Sequence, residues 1–424
     1  MIERIMVAGG GTGGHLFPGL AVIEELRRRV PNLEVRFVGT ERGIEARILP
    51  ERGETLDLLE VTPLKGQGLA ARMSSLGRIP VAMRAASKLI RSFKPDLVLG
   101  VGGYASGPVL LSAALGGLPT AVLEQNAHVG MTNRLLSRFV DRAYITFDTT
   151  ASVFGEQKTR LTGNPVRREF VEHARRALAD PEGFEARAQT ILVLGGSQGA
   201  RKLNEDVPKA LAKANVAELG LRVVHQTGTA MRDEVEATYR QLGIDAEVVT
   251  FIDEIARAFS TSALVIARSG ATTLAELCAI GRPSILVPFP FAADDHQAKN
   301  AEALAEQGAA LCVRESDLEV DALGVMVADL LRDPRRRQEM AEAARAHGKP
   351  DAAAAIVDDM IGWLGGPLAP NVDSAPPASE PPPRDGTPKL APVAQLAFPR
   401  NDFALRVHEA RPRRPVVVDG AVWE

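Results

Sequence analysis

The sequence predicts an α/β protein of two domains, each a parallel sheet covered by helices, facing one another across a central cleft. Three observations predict it. Short apolar runs of β-type residues alternate with helical patterns from residue 1 to about residue 364, and strands that alternate with helices form parallel sheets covered on both faces. A strand, a glycine turn and a helix start occur twice, as Val7-Ala-Gly-Gly-Gly-Thr-Gly-Gly-His15 and as Val193-Leu-Gly-Gly-Ser-Gln-Gly-Ala200. After Trp363 the composition changes: Gly365 to Glu424 holds 12 of the 28 prolines, which leaves little scope for helix or ladder.

The strands expected in the first half are Ile2–Ala8, Glu34–Val38, Leu97–Val101, Thr120–Leu123, Ala143–Ile145 and Lys158–Leu161. In the second half they are Thr190–Leu194, Arg222–His225, Glu247–Thr250, Leu264–Ala267, Ser284–Val287 and Ala310–Val313. Their near-continuous apolar character suits strands buried on both sides. From Leu97 to Leu123 no residue is charged. Even so, the glycines at 100, 102, 103, 107, 116 and 117, with Pro108 and Pro119, divide that run into a strand, a loop, a short helix and a second strand rather than a membrane span. The domain boundary is expected within Gly163–Asp180. This gives a Rossmann-like domain over 1–164, a second over 165–345, a helix within 346–364 that returns to the first domain, and a disordered or extended tail over 365–424.

Composition narrows the functional classes. A formal charge of -3 argues against a nucleic-acid binder. Aromatics at 4% argue against a sugar site built on stacked rings. Cys278 and Cys312 offer neither a disulfide framework nor metal spacing and read as buried thiols of a reducing compartment. The apolar run Ile2–Ala8 leads straight into glycines and reads as a strand, not a signal peptide.

The glycine loops carry the chemistry. Gly9, Gly11 and Gly14 after the first strand let backbone amides approach a diphosphate, and the helix that follows, expected over Phe17–Arg29, offers its N-terminal N–H groups. That pattern alone also fits a nicotinamide-dependent oxidoreductase. His15 lies at or near the helix start, where imidazolium is disfavoured and a neutral ring can take a proton from a hydroxyl. Gly195–Gly199, with Ser197, forms a second anion loop before a helix near Ala200. Gly102-Gly-Tyr-Ala-Ser-Gly107 forms a third. Three such loops suit two diphosphates meeting in one cleft. Arg268-Ser-Gly-Ala-Thr-Thr-Leu-Ala-Glu276 opens another helix, and Glu276 on it reads either as a ribose ligand or as a surface glutamate. Asp294, Asp295 and His296 raise the question of a metal, but adjacent residues rarely converge on one ion, and helix-terminus phosphate sites can replace a cation.

Taken in order, Gly10-Gly-Thr-Gly-Gly-His15, Gly102-Gly-Tyr-Ala-Ser-Gly-Pro108, Glu124-Gln-Asn126, Gly163-Asn-Pro-Val-Arg167, Gly195-Gly-Ser-Gln-Gly-Ala200, Phe251-Ile-Asp253, Arg268-Ser-Gly-Ala271 and Gln297–Asn300 resemble the MurG family over about residues 1–364. The resemblance implies a GT-B fold and inverting transfer of N-acetylglucosamine from UDP-N-acetylglucosamine to lipid I, giving lipid II for peptidoglycan, with no metal or other cofactor required. By the same resemblance Thr12, Gly13 and Gly14 touch the donor, and Gly102, Gly103, Tyr104 and Ser106 form the acceptor diphosphate site. Asn126 faces the donor sugar, and Arg167 and Ser197 contact the nucleotide and phosphate. Ile252 meets uracil through its backbone. Ala271, Thr272, Thr273, Leu274, Ala275 and Glu276 hold the diphosphate and ribose, with Glu276 on the ribose hydroxyls. Gln297 binds the sugar, and His15 is the candidate general base. A lipid-linked acceptor implies a peripheral protein at the cytoplasmic face of the bacterial membrane. The stretch Lys65–Lys94, with seven basic residues and no acidic one, suits anionic headgroups. Other cell-wall synthesis or division proteins are the expected protein partners. The tail departs from the family pattern, outside the catalytic motifs. A UDP-N-acetylglucosamine 2-epimerase, another transferase of the same architecture and a non-catalytic scaffold are the rival readings.

Overall fold

The computed structural model describes residues 2–61, 69–196, 199–292 and 295–365, with the side chains of 69–79 outside that description. The Pro-rich tail, Ser197 and Asp294 therefore lie outside it. The described residues belong to one compact unit that contains two parallel sheets.

The first lobe runs β1 Arg4–Gly9, α1 Gly13–Arg29, β2 Glu34–Gly39, α2 Glu45–Glu51, β3 Leu56–Leu58, α3 Leu69–Phe93, β4 Leu97–Gly102, α4 Ser106–Leu115, β5 Thr120–Glu124, α5 Met131–Leu136, β6 Arg142–Ile145, α6 Ala151–Phe154 and β7 Thr159–Leu161. The second runs α7 Arg168–Ala179, α8 Pro181–Ala186, β8 Thr190–Leu194, α9 Arg201–Lys213, β9 Arg222–Gln226, α10 Arg232–Gln241, β10 Ala246–Val249, α11 Ile255–Ser260, β11 Ser262–Ala267, α12 Ala271–Ile280, β12 Ser284–Leu286, α13 His296–Ala305, β13 Leu311–Cys312, α14 Val320–Arg332 and α15 Pro334–His347. A last helix, α16 Ala352–Trp363, follows.

The first sheet is ordered β3-β2-β1-β4-β5-β6-β7 and the second β10-β9-β8-β11-β12-β13. Every pairing is parallel, with Val7 opposite Leu99 in the first sheet and Val193 opposite Ile266 in the second. Strand order reverses between β1 and β4 and again between β8 and β11. In open α/β sheets the crevice at such a switch point, beyond the carboxyl ends of the strands, is where ligands bind. The four loops that leave β1, β4, β8 and β11 therefore mark the site.

Side chains alternate across each strand. Ile5 and Val7 pack with Leu16, Leu20 and Ile23 of α1 on one face, whereas Met6 and Ala8 pack with α3 and α4 on the other. Central strands covered on both faces, such as β1, β4, β8 and β11, are apolar at nearly every position, which made them legible in the sequence. The exception is β3, which the sequence did not reveal. Leu-Asp-Leu is three residues long at a sheet edge, with Leu58 more than half exposed, so no apolar run marks it. The uncharged stretch from Leu97 resolves into β4, α4 and β5, and no helix among the described residues is long and apolar enough to cross a membrane. Cys278 is buried and Cys312 only partly so; burial pushes the Cys278 thiol up to about 12, making it inert at neutral pH.

Helix α16 packs on the first lobe. Ile356, Val357, Met360 and Ile361 enter the apolar cluster around β1 and α1, each contributing about 1.5–3 kcal/mol relative to exposure. Asp359 anchors the same helix, accepting from the Tyr144 hydroxyl at 2.9 Å and from Arg160 Nε at 2.9 Å. The described residues thus start and end on one lobe.

Candidate active site

The loop after β1 is shaped by a buried carboxylate. Glu45 Oε2 accepts from Gly11 N at 2.6 Å, and Oε1 accepts from Thr40 N at 2.9 Å and Thr40 Oγ1 at 3.0 Å. A Cβ at Gly10 would lie 2.4 Å from this carboxylate, so no larger residue fits there. Gly10 N donates to Gly102 O at 3.0 Å, which ties the β1 loop to the β4 loop. Within the β4 loop Ser106 Oγ donates to Gly103 O at 3.0 Å, while Tyr104 is half-exposed. Thr12 precedes α1. Neither α1 nor α4 has a side-chain cap or an acidic residue in its first turn, so their N-terminal N–H groups are available to anions.

Helix α1 begins at Gly13, not near Phe17 as expected. Pro18 usually marks a helix start, but here it is the sixth residue of the helix. His15 therefore lies inside the first turn. Its partly buried ring places Nδ1 3.2 Å from Gly10 O and 3.4 Å from Thr12 Oγ1. A carbonyl can only accept, so Nδ1 carries the proton and Nε2 carries the lone pair. Burial holds the His15 pKa below the ordinary histidine value, partly opposed by the bond to Gly10. The ring is neutral at pH 7 and basic at Nε2. Gly102 must be glycine because of this ring: its φ is +98°, and a Cβ there would lie 2.7 Å from His15 Cδ2 and 3.0 Å from Nε2.

The second lobe supplies the other pair of loops. Gly199, with φ +75°, leaves no room for a Cβ, which would sit 1.9 Å from Thr227 O. Gln226 at the end of β9 joins two loops: Nε2 donates to Gly196 O at 3.0 Å and Oε1 accepts from Ile252 N at 3.0 Å. The Ile252 N–H is thus already occupied. Helix α12 starts at Ala271 after Gly270, again with no side-chain cap and no acid in its first turn. Leu274 points into the core and Ala275 is partly buried, so the open part of this segment is the turn Ala271–Thr273. Ser269 Oγ donates to Gln297 O at 2.8 Å, and Gln297 Oε1 accepts from Phe289 N at 3.0 Å.

Glu276 is not a surface residue. It is buried, and Oε1 accepts from Arg167 Nε at 3.0 Å and Nη2 at 2.7 Å. Burial raises its pKa, while Arg167 acts in the opposite direction. The Arg167 guanidinium also lies 5.2 Å from the Phe17 ring centre and 5.1 Å from that of Phe170.

The two lobes touch at the site. Asn300, fully buried, accepts from Ala127 N at 2.9 Å and donates to Asn126 Oδ1 at 3.3 Å. Glu124 shapes the same loop, accepting from Asn126 N at 3.2 Å, Gly130 N at 3.1 Å and Asn133 Nδ2 at 3.0 Å. Thr272 Oγ1 donates to Gly14 O at 3.2 Å. The structure therefore brings together Thr12, Gly13, Gly14, His15, Gly102, Gly103 and Ser106 around one switch point, and Arg167 and Ala271–Glu276 at the other. Ser197 falls outside the described residues. Of the candidate metal cluster, Asp294 also falls outside, and Asp295 Oδ2 accepts from Arg314 at 3.1 Å. Sequence reasoning gave no role to Glu45 or Gln226, nor, within the motifs it quoted, to Glu124 or Asn300. A lone carboxylate or amide carries no periodic signal, and each acts on a backbone group remote in sequence or specific to its loop.

Residues 5–145 match the glycosyltransferase family 28 N-terminal domain and residues 190–356 its C-terminal domain. Curated relatives named UDP-N-acetylglucosamine–N-acetylmuramyl-(pentapeptide) pyrophosphoryl-undecaprenol N-acetylglucosamine transferase are similar over nearly their whole length. The protein from Geobacter sulfurreducens is 44% identical over 84% of this chain and 98% of its own, and that from Anaeromyxobacter dehalogenans is 47% identical over 84% and 91%. The crystal structure of Acinetobacter baumannii MurG superposes with a TM-score of 0.67 at 30% identity, covering 84% of this chain and 98% of that one. The UDP-N-acetylglucosamine 2-epimerase of Neisseria meningitidis, at a TM-score of 0.58 and 16% identity, shares the fold alone. Two parallel-sheet lobes, the matching domains at both ends and identity at this level together establish that the chain is a GT-B glycosyltransferase of family 28 and belongs to the MurG family.

Proposed function

We propose that the chain transfers N-acetylglucosamine from UDP-N-acetylglucosamine to the muramyl 4-hydroxyl of lipid I, giving lipid II, with the donor held by the second lobe and the acceptor by the first. The reaction and its substrates follow from membership of the family; the residue roles are our assignment. The hydroxyl oxygen attacks C1 of the donor sugar from the face opposite UDP. Its proton passes to His15 Nε2, the C1–O bond to the diphosphate breaks, and UDP leaves with that electron pair. Configuration at C1 inverts. Charge grows on the departing diphosphate, where the open first turn of α12 at Ala271–Thr273 supplies preorganised N–H groups.

The observation that carries this reading is the His15 ring. Its Nδ1 is committed to Gly10 O, its Nε2 lone pair is free to take a proton, and the turn that bears it touches the start of α12 through Thr272. Around it, Thr12, Gly13 and Gly14 contact the donor, and Gly102, Gly103, Tyr104 and Ser106 hold the acceptor diphosphate. Asn126 and Gln297 meet the donor sugar, Arg167 and Ser197 the nucleotide and phosphate, and Glu276 the ribose hydroxyls. Because Gln226 occupies the Ile252 N–H, the Ile252 carbonyl is the atom left to accept from uracil N3–H. We set the lobe boundary at 164/165.

For the membrane we assign a peripheral position at the cytoplasmic face, docked through the Lys65–Lys94 region. In its described part, Ala82, Ala86, Ile90 and Phe93 are buried while Val81, Arg84, Lys88 and Arg91 are exposed. Helix α5 and the turn after it add exposed Met131, Leu135 and Phe139 beside Arg134 and Arg138. Apolar side chains among cations suit an anionic bilayer surface.

Product analysis with UDP-N-acetylglucosamine and a lipid I analogue tests the function. A disaccharide lipid formed in step with UDP is expected. UDP released without a disaccharide lipid, or conversion of the sugar to its 2-epimer, would overturn the reading.

A further inference from the structure

The contact between Thr272 and Gly14 has a cause in the sequence. An α-helical carbonyl is satisfied by the N–H four residues on, and proline has none. Pro18 stands four residues after Gly14, so the Gly14 carbonyl lacks its usual helical donor. It is partly buried at the lobe contact, and it accepts from Thr272 Oγ1 at 3.2 Å, 258 residues away. Thr272 is the second residue of α12. A threonine deeper in a helix commonly bonds back to the carbonyl four residues earlier; here that residue, Arg268, precedes the helix, and the hydroxyl turns across to the other lobe. Gly14 adjoins His15, whose N–H and that of Leu16 both bond to Thr12 O at 3.2 Å. The turn that carries the base is therefore pinned to the helix end assigned to the departing diphosphate by a bond to a carbonyl that Pro18 leaves without its usual helical donor.

We propose that the Thr272 side chain is a positioning residue: through the Gly14 carbonyl that Pro18 leaves open, its hydroxyl fixes the His15 turn against the donor helix. This rests on the function proposed above. It is separate from donor binding by the segment, which uses backbone N–H groups that any residue at 272 retains.

The test compares Thr272→Val, Thr272→Ser, Pro18→Ala and the Thr272→Val/Pro18→Ala double variant. Thr272→Val is expected to lower kcat about tenfold, the scale of one neutral hydrogen bond, with the donor KM and the Kd for UDP within about twofold. Thr272→Ser restores kcat. Pro18→Ala offers the Gly14 carbonyl a helical donor that competes with the Thr272 hydroxyl, so it lowers kcat in the wild-type background and adds nothing to Thr272→Val. Unchanged kcat in Thr272→Val, an equal loss of UDP affinity, or additive effects of the two substitutions would overturn the proposal. Amide exchange of residues 13–17 in the ligand-free protein is a readout independent of turnover. Faster exchange in Thr272→Val, reversed in Thr272→Ser, supports the pin, and unchanged exchange counts against it. A wild-type protein inactive on these substrates would sink the function while the exchange measurement still decides the pin.

Discussion

Gly102→Ala probes the geometry on which the proton transfer depends. Two effects follow from the structure. The backbone at 102 has φ +98°, and holding an L-residue there costs about 1–3 kcal/mol. The new Cβ would also lie 2.7 Å from His15 Cδ2 and 3.0 Å from Nε2. The imidazole must move, because the backbone is held by Gly10 N donating to Gly102 O. A shift of about 1 Å at a catalytic group costs on the order of a hundredfold in rate, and a swing that breaks Nδ1–H to Gly10 O costs about 0.5–1.5 kcal/mol more. Turnover is expected to fall about a hundredfold, with the Kd for UDP unchanged, since the donor lobe is untouched. Gly117→Ala is the control. Its φ is +72° and a Cβ there meets nothing within 4 Å, so it carries the backbone strain without the collision. Both variants should lose stability in thermal melts, by about 2–4 °C per kcal/mol for a domain of this size, but only Gly102→Ala should lose turnover. Wild-type kcat in Gly102→Ala, or an equal kcat loss in Gly117→Ala, would refute the argument that this glycine exists to seat the histidine.

Three other outcomes are expected. His15→Ala lowers kcat by roughly 10²–10⁴, and the acid limb of the wild-type pH–rate profile falls below the ordinary histidine pKa, because burial depresses it; an acid limb above pH 7 would contradict the neutral ring. A depressed histidine contributes stability that is present above its unfolded value and lost as pH falls through the folded one, so His15→Gln should flatten that part of a stability–pH curve. Glu276 has a raised pKa through burial, so UDP affinity, read by calorimetry, should weaken as pH falls through a value above the usual carboxylate range, and Glu276→Gln should bind more weakly without that dependence. The same raised pKa makes stability decline as pH rises through that window. Glu45→Ala leaves Gly11 N, Thr40 N and Thr40 Oγ1 without their acceptor. At about 1–3 kcal/mol for each buried unsatisfied group, chemical denaturation should report a loss of several kcal/mol, and unchanged stability would mean that water replaces the carboxylate.

Much of this was legible in the sequence because it is local. Central strands buried on both faces are largely apolar, and glycines mark the tight loops that follow them, so twelve strands and four loops could be read directly. The start of α1 was misplaced because Gly13 and Gly14 read as loop glycines, whereas they open the helix. Glu276 could be read as ribose ligand or surface residue because the partner that identifies it as buried, Arg167, is 109 positions earlier. Asn300 and Ala127 are 173 apart. Such pairings are set by how the two sheets meet, and periodicity does not encode that. Gly102 was recognisable as a loop glycine, but the reason it admits nothing larger is a histidine ring from another loop.

The account rests on a donor held by the second lobe and a base supplied by the first. A crystal structure of the protein with UDP-N-acetylglucosamine tests this most directly. The account predicts the diphosphate at the first turn of α12 over Ala271–Thr273, the Glu276 carboxylate on the ribose hydroxyls, and the sugar C1 facing His15 Nε2. A diphosphate bound away from the first turn of α12, with the Glu276 carboxylate off the ribose, would contradict it.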